Sequence, residues 1–228
     1  MSADTKQTAI VNTYKADMAF TTEFRVQLQG TLTFTQGSAV VSGTGTAFRP
    51  SLEQEGQIKK GDYLRAATSV KWYRVLSVPS PTSLILNEVF AEVTETGVVG
   101  YVLHIGKGIA RNFDFLNDIK GIYVFHLAES TEQVELRNIA HHVTYGFLVV
   151  AFFYEPDEEQ AETRKAQYNR ILKAVIEKDL KAGNSSVMLP VAYKTDIGPT
   201  KFYFHPTIEG GVYLTFSVTT LCKEAVGV

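Results

Sequence analysis

The stretch AFFYEPDEEQAETRKAQYNRILKAVIEKDLKAG, Ala151 to Gly183, places a helix directly after a strand and so decides the fold class. Asp157 is a good N-cap, and Glu158 and Glu159 follow it where carboxylates stabilise the positive end of a helix. An apolar face follows at helical spacing, formed by Ala161, Tyr168, Leu172, Val175 and Ile176. The pattern predicts one long helix that begins after Asp157 and ends before a C-cap glycine at Gly183. The acidic run lacks the alternating spacing of a calcium loop, so we interpret it as a helix start.

Strand patterns flank this helix on both sides. IYVFHLA and residues 136–154 precede it, and VMLPVAYK, KFYFH and GGVYLTFSVTTLC follow it. In the last segment apolar residues alternate with polar or aromatic ones, with Val212, Leu214, Phe216 and Val218 on one side. This is the period of a half-buried antiparallel strand. The sequence therefore predicts an α+β domain over residues 106–228, with a mainly antiparallel sheet and one long helix packed on it.

The first part of the chain has a different pattern. Residues 24–105 are short β-rich runs cut by turn residues, which predicts a small all-β sandwich or barrel module. Residues 1–23 form an N-terminal arm or weak helix, in which Ile10, Tyr14 and Met18 make a narrow stripe. The sequence GKG at 106–108 is a plausible hinge between the β module and the α+β domain.

Composition excludes several classes of function. The 228 residues include 22 basic and 24 acidic side chains and carry a net charge of −2, so a dedicated nucleic-acid binder is not expected. The single cysteine, Cys222, leaves no intrachain disulfide and no CxxC pair. No run approaches the ~20 apolar residues of a membrane span, and the N-terminus has no signal pattern. No phosphate-binding or other cofactor motif is present, and we single out no catalytic, cofactor-binding or metal-binding residue.

The segment NIAHHVTYGF sets His141 and His142 side by side in a strand pattern. Successive residues of a strand point to opposite faces, so this pair is poorly arranged to chelate one metal ion. We interpret both histidines as structural. A metal or acid/base role and a pH-sensitive subunit contact are the two alternatives.

Aromatic residues are the more suggestive feature. They place rings on both faces of strands that one helix covers on one side only, which requires a second covering surface. That surface is a neighbouring domain or another subunit, and we favour the subunit. The candidate interface residues are Phe152, Phe153, Tyr154, Phe202, Tyr203 and Phe204.

Two segments resemble known families. GSAVVSGTGTAF, IKKGDYLR, WYRVLSVPSPTSLILNEVF and TGVVGYVL, within residues 28–104, resemble a β-rich module that recurs in virion proteins of tailed bacteriophages. Residues 109–222 resemble the tail terminator, or tail completion, proteins of long-tailed phages. The resemblance lies in the order of GIYVFHLAESTEQVELRNIAHHVTYGFLVVAFFY, the helix DEEQAETRKAQYNRILKAVIEKDL and the closing strand VYLTFSVTTL.

The second resemblance implies a structural protein of the virion rather than an enzyme. It implies a homo-oligomeric ring, commonly a hexamer, that caps the tail tube and connects it to the neck. The implied partners are further copies of the chain, the tail tube protein and a neck or connector protein, with DNA only as cargo passing through the lumen. The virion would be assembled in the host cytoplasm, with no membrane involved.

The chain departs from the terminator pattern in two ways. The helix expected directly before the first strand is either displaced to residues 3–20, with the β module inserted after it, or missing. The β module itself is an addition, which leaves a head–tail neck adaptor or stopper as an alternative. A second alternative is a glycan-binding tail or baseplate component that stacks sugars on Tyr63, Trp72 and Tyr73. An enzyme that uses the histidines with a carboxylate is the third.

Replacement of His141 and His142 together by Gln tests the structural interpretation. We expect the double variant to keep the oligomeric state of the wild type and to release no metal, because the pair lacks ligand partners at i+2. Elemental analysis and light scattering of both proteins are the measurements. About one metal ion per wild-type chain, lost in the variant, would contradict this interpretation.

Overall fold

The chain folds as two compact units. The computed structural model describes residues 3–48, 57–108, 120–135, 140–181, 192–204 and 210–225. One unit, the β unit, is Glu23–Gly106. The other, the α+β unit, combines Met1–Thr22 with Lys107–Val228. The α+β unit is therefore assembled from two separate stretches of sequence, and the β unit lies between them along the chain.

The described part of the first 108 residues contains two helices and eight strands. They are α1 (Ala3–Ala16), α2 (Met18–Phe24), β1 (Val26–Gln27), β2 (Thr31–Phe34), β3 (Val40–Thr44), β4 (Tyr63–Ala66), β5 (Tyr73–Ser80), β6 (Ser83–Leu86), β7 (Glu95–Val98) and β8 (Gly100–Gly108). The described part of the remaining chain contains five strands and one helix. They are β9 (Lys120–Glu135), β10 (Ala140–Tyr154), α3 (Glu158–Lys181), β11 (Ala192–Ile197), β12 (Lys201–Phe204) and β13 (Gly211–Ala225).

The predicted α+β class, with an antiparallel sheet and one long helix, is confirmed. In the α+β unit, β10 pairs antiparallel with β9 on one side and with β13 on the other. β11 and β12 both pair with the free edge of β13, β11 beside its second half and β12 beside its first. None of the helices in the described residues is long and apolar enough to cross a membrane.

One face of this sheet is apolar because β10 and β13 alternate in step. Residues directly opposite each other in an antiparallel ladder lie on the same face. The buried pairs are Phe147 with Val218, Val149 with Phe216, Ala151 with Leu214, and Phe153 with Val212. The intervening residues of β13 are half-buried, as the sequence alternation predicted.

Helix α3 begins and packs as predicted. The side chain of Asp157 caps it by accepting a hydrogen bond from the backbone N–H of Gln160 at 2.9 Å. The predicted apolar face is buried throughout, at Ala161, Tyr168, Leu172, Val175 and Ile176. The predicted C-cap, Gly183, lies outside the described residues.

Helix α1 belongs to the same packed layer as α3. Its residues Ile10 and Tyr14 are fully buried, and the Tyr14 hydroxyl donates to the backbone oxygen of Leu172 in α3 at 3.0 Å. Burial also raises the pKa of Tyr14 well above its usual range. On the other side of α1, the side-chain amide of Gln7 donates to the backbone oxygen of Val124 in β9. The N-terminal helix thus joins the long helix to the sheet.

The predicted apolar stripe of Ile10, Tyr14 and Met18 is buried at its first two residues but not at Met18. Met18 is 80% exposed. The helix breaks at Asp17, whose carboxylate accepts a hydrogen bond from the backbone N–H of Phe20 at 2.9 Å and so starts α2. The new helix has its own phase, and Phe20 takes the buried position and packs on Tyr14 with ring centroids 5.1 Å apart.

The β unit has a core of its own. Its strands pair antiparallel in the order β1, β8, β4, β5, β6, β3, β2, β7. A single cluster of buried side chains fills it, including Leu32, Phe34, Leu64, Tyr73, Phe90 and Val102. The unit also buries a hydrogen-bonded pair, in which a carboxylate oxygen of Asp62 lies 3.0 Å from Nδ1 of His104.

A fragment covering Glu23–Gly106 should fold alone, because every member of this core cluster lies within it. We expect well-dispersed amide resonances and a cooperative thermal transition. The fragment Lys107–Val228 is the matched comparison, and it should be poorly ordered because it lacks α1. Collapsed, poorly dispersed spectra from Glu23–Gly106 would contradict the prediction.

Candidate subunit interface

The six aromatic residues predicted as an interface divide into two groups. Phe152 and Phe153 are buried, with 3% and 1% of each residue exposed. The other four are exposed: Tyr154 by 44%, Phe202 by 41%, Tyr203 by 50% and Phe204 by 71%. The surface open to a partner is therefore smaller than the predicted set. We call the four exposed residues the aromatic edge.

Phe153 belongs to the core of the α+β unit. It sits on the α3 side of β10, and its ring meets that of Tyr168 edge to face, with centroids 4.8 Å apart and planes at 89°. Edge-to-face contact of this kind adds to the free energy gained from burial. Phe153 is therefore removed from the predicted interface, because other residues of its own chain enclose its side chain.

Phe152 points to the opposite face of the sheet. Its ring packs on Tyr213 of β13, with centroids 5.1 Å apart. On this face Phe125 and Val150 are also buried, and Leu148 lies beside them, half-buried. These apolar side chains bury one another across three strands, so Phe152 is likewise removed from the predicted contact surface.

The aromatic edge lies where the sheet ends. Among the described strands, β12 pairs only with β13, and all four of its residues are exposed. Its ladder register places Tyr203 opposite Tyr213, while Phe202 and Phe204 lie opposite the buried Leu214 and Val212. The strand therefore shows aromatic rings on both faces of the sheet. An exposed apolar edge strand is a ready site for contact with another chain.

A charged pocket adjoins this edge at the start of α3. The pocket has a volume of about 350 Å³ and is lined by Glu155, Pro156, Glu158, Ala161, Glu162, Lys165, Phe204, Gly210 and Val212. Lys165 is buried, forms an ion pair with Glu162, and holds its ammonium 4.6 Å from the centroid of the Phe204 ring. The pairing and the cation–π contact satisfy the buried charge and fix β12 beside α3.

The other buried charge of the pocket is also paired. The carboxylate of Glu155 accepts from Nε of Arg164 at 2.8 Å, and the backbone N–H of Glu155 donates to the oxygen of Gly210 at 2.8 Å. Gly210 has φ of 79°, and a Cβ there would lie 2.8 Å from Cα of Pro156. Only glycine fits this close approach. Two ion pairs and the tight turn at Gly210 therefore hold the walls of this pocket in place.

Neither the burial of Lys165 nor the buried pair of Asp62 and His104 was predicted from the sequence. Lys165 had a readable signal, because it follows Ala161 by four residues and precedes Tyr168 by three, within the apolar stripe of α3. Asp62 and His104, in contrast, are 42 residues apart. Only the tertiary fold brings that second pair together.

The described histidines lie on three strands: His104 on β8, His126 on β9, and His141 and His142 together on β10. His141 and His142 lie on β10, opposite Glu224 and Lys223 of β13 in the backbone ladder, and their side chains are outside the described set. His126 is exposed on β9. Over the described residues, no group of three or more His, Cys, Asp or Glu side chains could hold a metal ion. His205 lies outside the described residues.

The three aromatic residues of the glycan-binding alternative do not form one surface. Tyr73 is fully buried in the core of the β unit. Trp72 is 9% exposed and lies under the Arg65 guanidinium, 4.7 Å from the ring centroid. Only Tyr63 is partly open, and burial raises its pKa. A sugar-stacking platform that includes Tyr73 is therefore ruled out.

No protein-family model matches the chain, and no curated protein sequence matches it. The geometry of the site consequently carries the functional argument.

Two substitutions test the assignment of Phe153 to the core and of Phe204 to the exposed aromatic edge. Phe153→Ala should lower the free energy of unfolding of the α+β unit by about 3–5 kcal/mol, because it leaves a cavity against Tyr168. Phe204→Ala, at a 71% exposed position, should cost only about 1 kcal/mol, because it leaves no cavity and removes one cation–π contact with Lys165. Urea unfolding followed by circular dichroism measures both. Similar losses in the two variants would contradict the assignment of Phe204 to a free surface.

Proposed function

We propose that this chain is a structural virion protein of a long-tailed bacteriophage. It forms a ring, of six subunits by the resemblance to tail terminators, that caps the tail tube and connects it to the neck. Its activity is assembly rather than bond-making. The tail tube protein and a neck or connector protein are its partners, and DNA passes through the lumen as cargo.

The observation that carries this proposal is the aromatic edge. An edge strand with three consecutive exposed rings is an aggregation hazard unless another chain covers it. In a closed ring, each subunit covers the exposed edge strand of its neighbour, so that no edge strand stays exposed. A specific contact of this kind buries at least roughly 1,000 Å² per interface. If one face of the ring binds the end of the tail tube and the other face does not bind further tube protein, the tube stops growing.

The order of elements also supports the proposal. α1 and most of α2 precede the β unit in sequence, yet the first 22 residues belong to the α+β unit. The expected helix was either displaced to residues 3–20 or missing, and this arrangement favours the displaced helix with the β module inserted after it. The α+β unit then has the order expected of a terminator-like domain: helix, strand hairpin, long helix and closing strand.

The β unit is, in this proposal, a small closed sandwich or barrel of the kind that recurs in phage virion proteins. Its continuous antiparallel pairing and single apolar cluster are compatible with that architecture. Its role is to extend the ring outward or to contact a neighbour.

A neck adaptor or stopper is the second candidate, because the same aromatic edge would serve a ring at either position. The two differ in what they bind. A terminator binds the end of the tail tube and limits its length, whereas an adaptor binds the connector and leaves tube length unchanged.

The test combines the mass of the protein with its effect on the tube. Light scattering, alone and after mixing with the cognate tube protein, should show a closed oligomer, and electron microscopy should show tubes of limited length. Phe202→Ser with Phe204→Ser should weaken the oligomer by about tenfold or more, because the interface loses two rings. Val70→Ser, at an 86% exposed position in the β unit, is the matched control and should change nothing.

A protein that stays monomeric in both conditions and leaves tube length unchanged would refute the terminator assignment. Binding to the connector alone, with normal tube growth, would favour the adaptor.

A further inference from the structure

The β unit carries three arginines on one face of its sheet, Arg25, Arg65 and Arg74, which we call the arginine face. The ladder places Arg65 opposite Tyr101 and Arg74 opposite Tyr63, and Tyr63 and Arg65 are two residues apart on β4. All four therefore lie on the same side of the sheet. The Arg25 guanidinium lies 4.2 Å from the centroid of the Tyr101 ring, which brings it to this face as well.

The described residues only partly neutralise the positive charge of the arginine face. Over the described residues none of the three arginines forms an ion pair, and Nε of Arg65 is buried without a hydrogen-bond partner. Burial lowers the pKa of Arg65, and the charge of Arg25 lowers it further, against smaller opposing effects of Tyr101 and Glu92. Adjacent cations that repel each other are stabilised when an anion binds between them.

The geometry of the guanidiniums suits carboxylates. Arg25 and Arg65 each rest on an aromatic ring, Tyr101 and Trp72 respectively. Stacking fixes the plane of a guanidinium while its N–H edge stays available for two parallel hydrogen bonds to a carboxylate. The arginine face is thus prepared for an acidic segment of protein.

The start of α3 has the opposite charge and lies beside the aromatic edge. Asp157, Glu158, Glu159 and Glu162 are all exposed, and Glu162 lines the same pocket as Phe204. Asp157 caps the helix and Glu162 pairs with Lys165. Within the described part of the chain, Glu158 and Glu159 have no ion-pair partner. Glu158, Glu162 and the exposed ring of Phe204 therefore line one pocket.

We propose that the arginine face of one copy binds the acidic start of α3 in the next copy. This inference rests on the proposed function and names the two surfaces through which neighbouring subunits of the ring meet. The match extends beyond charge. Phe204 lines the same pocket as Glu158 and Glu162, while Tyr101 contacts Arg25 and the 50% exposed Leu76 follows Arg74 by two residues on β5.

The contact is of the heterologous type, because different surfaces of the two copies meet. Repeated head to tail, such a contact closes into a ring when the rotation per subunit divides the circle. It also gives the β unit a purpose, since that unit supplies one half of every subunit contact. The contact should weaken as salt concentration rises, because part of it depends on exposed charges.

A nucleic acid is the less suitable occupant. Three arginines neutralise few phosphates, and the chain as a whole carries 24 acidic against 22 basic residues. A carboxylate-rich segment of protein can bind three arginines through a small contact, and the start of α3 in this chain is such a segment.

A charge exchange between the two surfaces tests the inference. The first variant is Arg25→Glu with Arg74→Glu, which spares the Arg65–Trp72 stack. The second is Glu158→Lys with Glu159→Lys. In each variant alone, the two surfaces of the contact carry charge of the same sign and repel each other. In an equal mixture, opposite charges face each other wherever a copy of one variant neighbours a copy of the other. Sedimentation velocity at about 50 mM salt measures self-association of the wild type, each variant and the mixture.

We expect each variant to associate about tenfold or more weakly than the wild type, and the mixture to recover association. Lys60→Glu adds negative charge at an exposed position of the β unit and should behave like the wild type. Thermal unfolding confirms that each variant is folded. If Arg25→Glu with Arg74→Glu proves unfolded, Arg74→Glu alone replaces it, with Lys60→Glu as its control.

A mixture that stays as weakly associated as its components would overturn the inference, as would a wild type that is monomeric at low salt. Normal association of every variant, with tubes still capped, would overturn it while leaving the proposed function intact. Binding of a 30-base-pair DNA duplex that the first variant loses, without any self-association, would reassign the arginine face to nucleic acid.

Discussion

The structure depends on one constraint: from Val143 to Phe153, the central strand β10 must face α3 and α1 with alternate side chains. Because β10 is paired on both sides, with β9 and with β13, a slip of one residue would turn every core residue out and every outer residue in. Burial of Phe147, Val149, Ala151 and Phe153 against the helices fixes that register. The positions of β12, the aromatic edge and the pocket at the start of α3 all follow from it.

Sequence patterns predicted those elements whose period is visible. The helix α3, its Asp157 cap and the alternation along β13 were readable, because polar and apolar residues are separated at 3.6 or 2 residues per repeat. The run AFFY at 151–154 has no such contrast, since both faces of β10 are apolar there. The sequence could therefore not tell that Phe152 and Phe153 are enclosed while Tyr154 is exposed. That division needed the register with β13 and the position of Tyr168.

Other features escaped sequence reasoning for different physical reasons. The break at Asp17 depends on a competition between continuing α1 and capping a new helix, which a residue pattern does not resolve. The pair of Asp62 and His104 depends on strands β4 and β8 being neighbours. The arginine face has the same origin, since Arg25, Arg65 and Arg74 are scattered along the sequence and meet only through the ladder. Charge that seems evenly spread in a sequence can be concentrated by a sheet.

The division of the α+β unit into two stretches has a consequence for how the chain reaches its fold. The hydroxyl of Tyr14 and the backbone oxygen of Leu172 are 158 residues apart in the sequence, with the whole β unit between them. During synthesis from the N-terminus, α1 emerges first and has no partner in its own unit until β9 and then α3 have been made, whereas the β unit can close as soon as its last strand appears. Contacts of such high sequence separation slow folding, because a long loop must be ordered before they form. A β unit already folded shortens that effective loop, so the insertion that separates α1 from its helical partner also reduces the entropy lost when they meet.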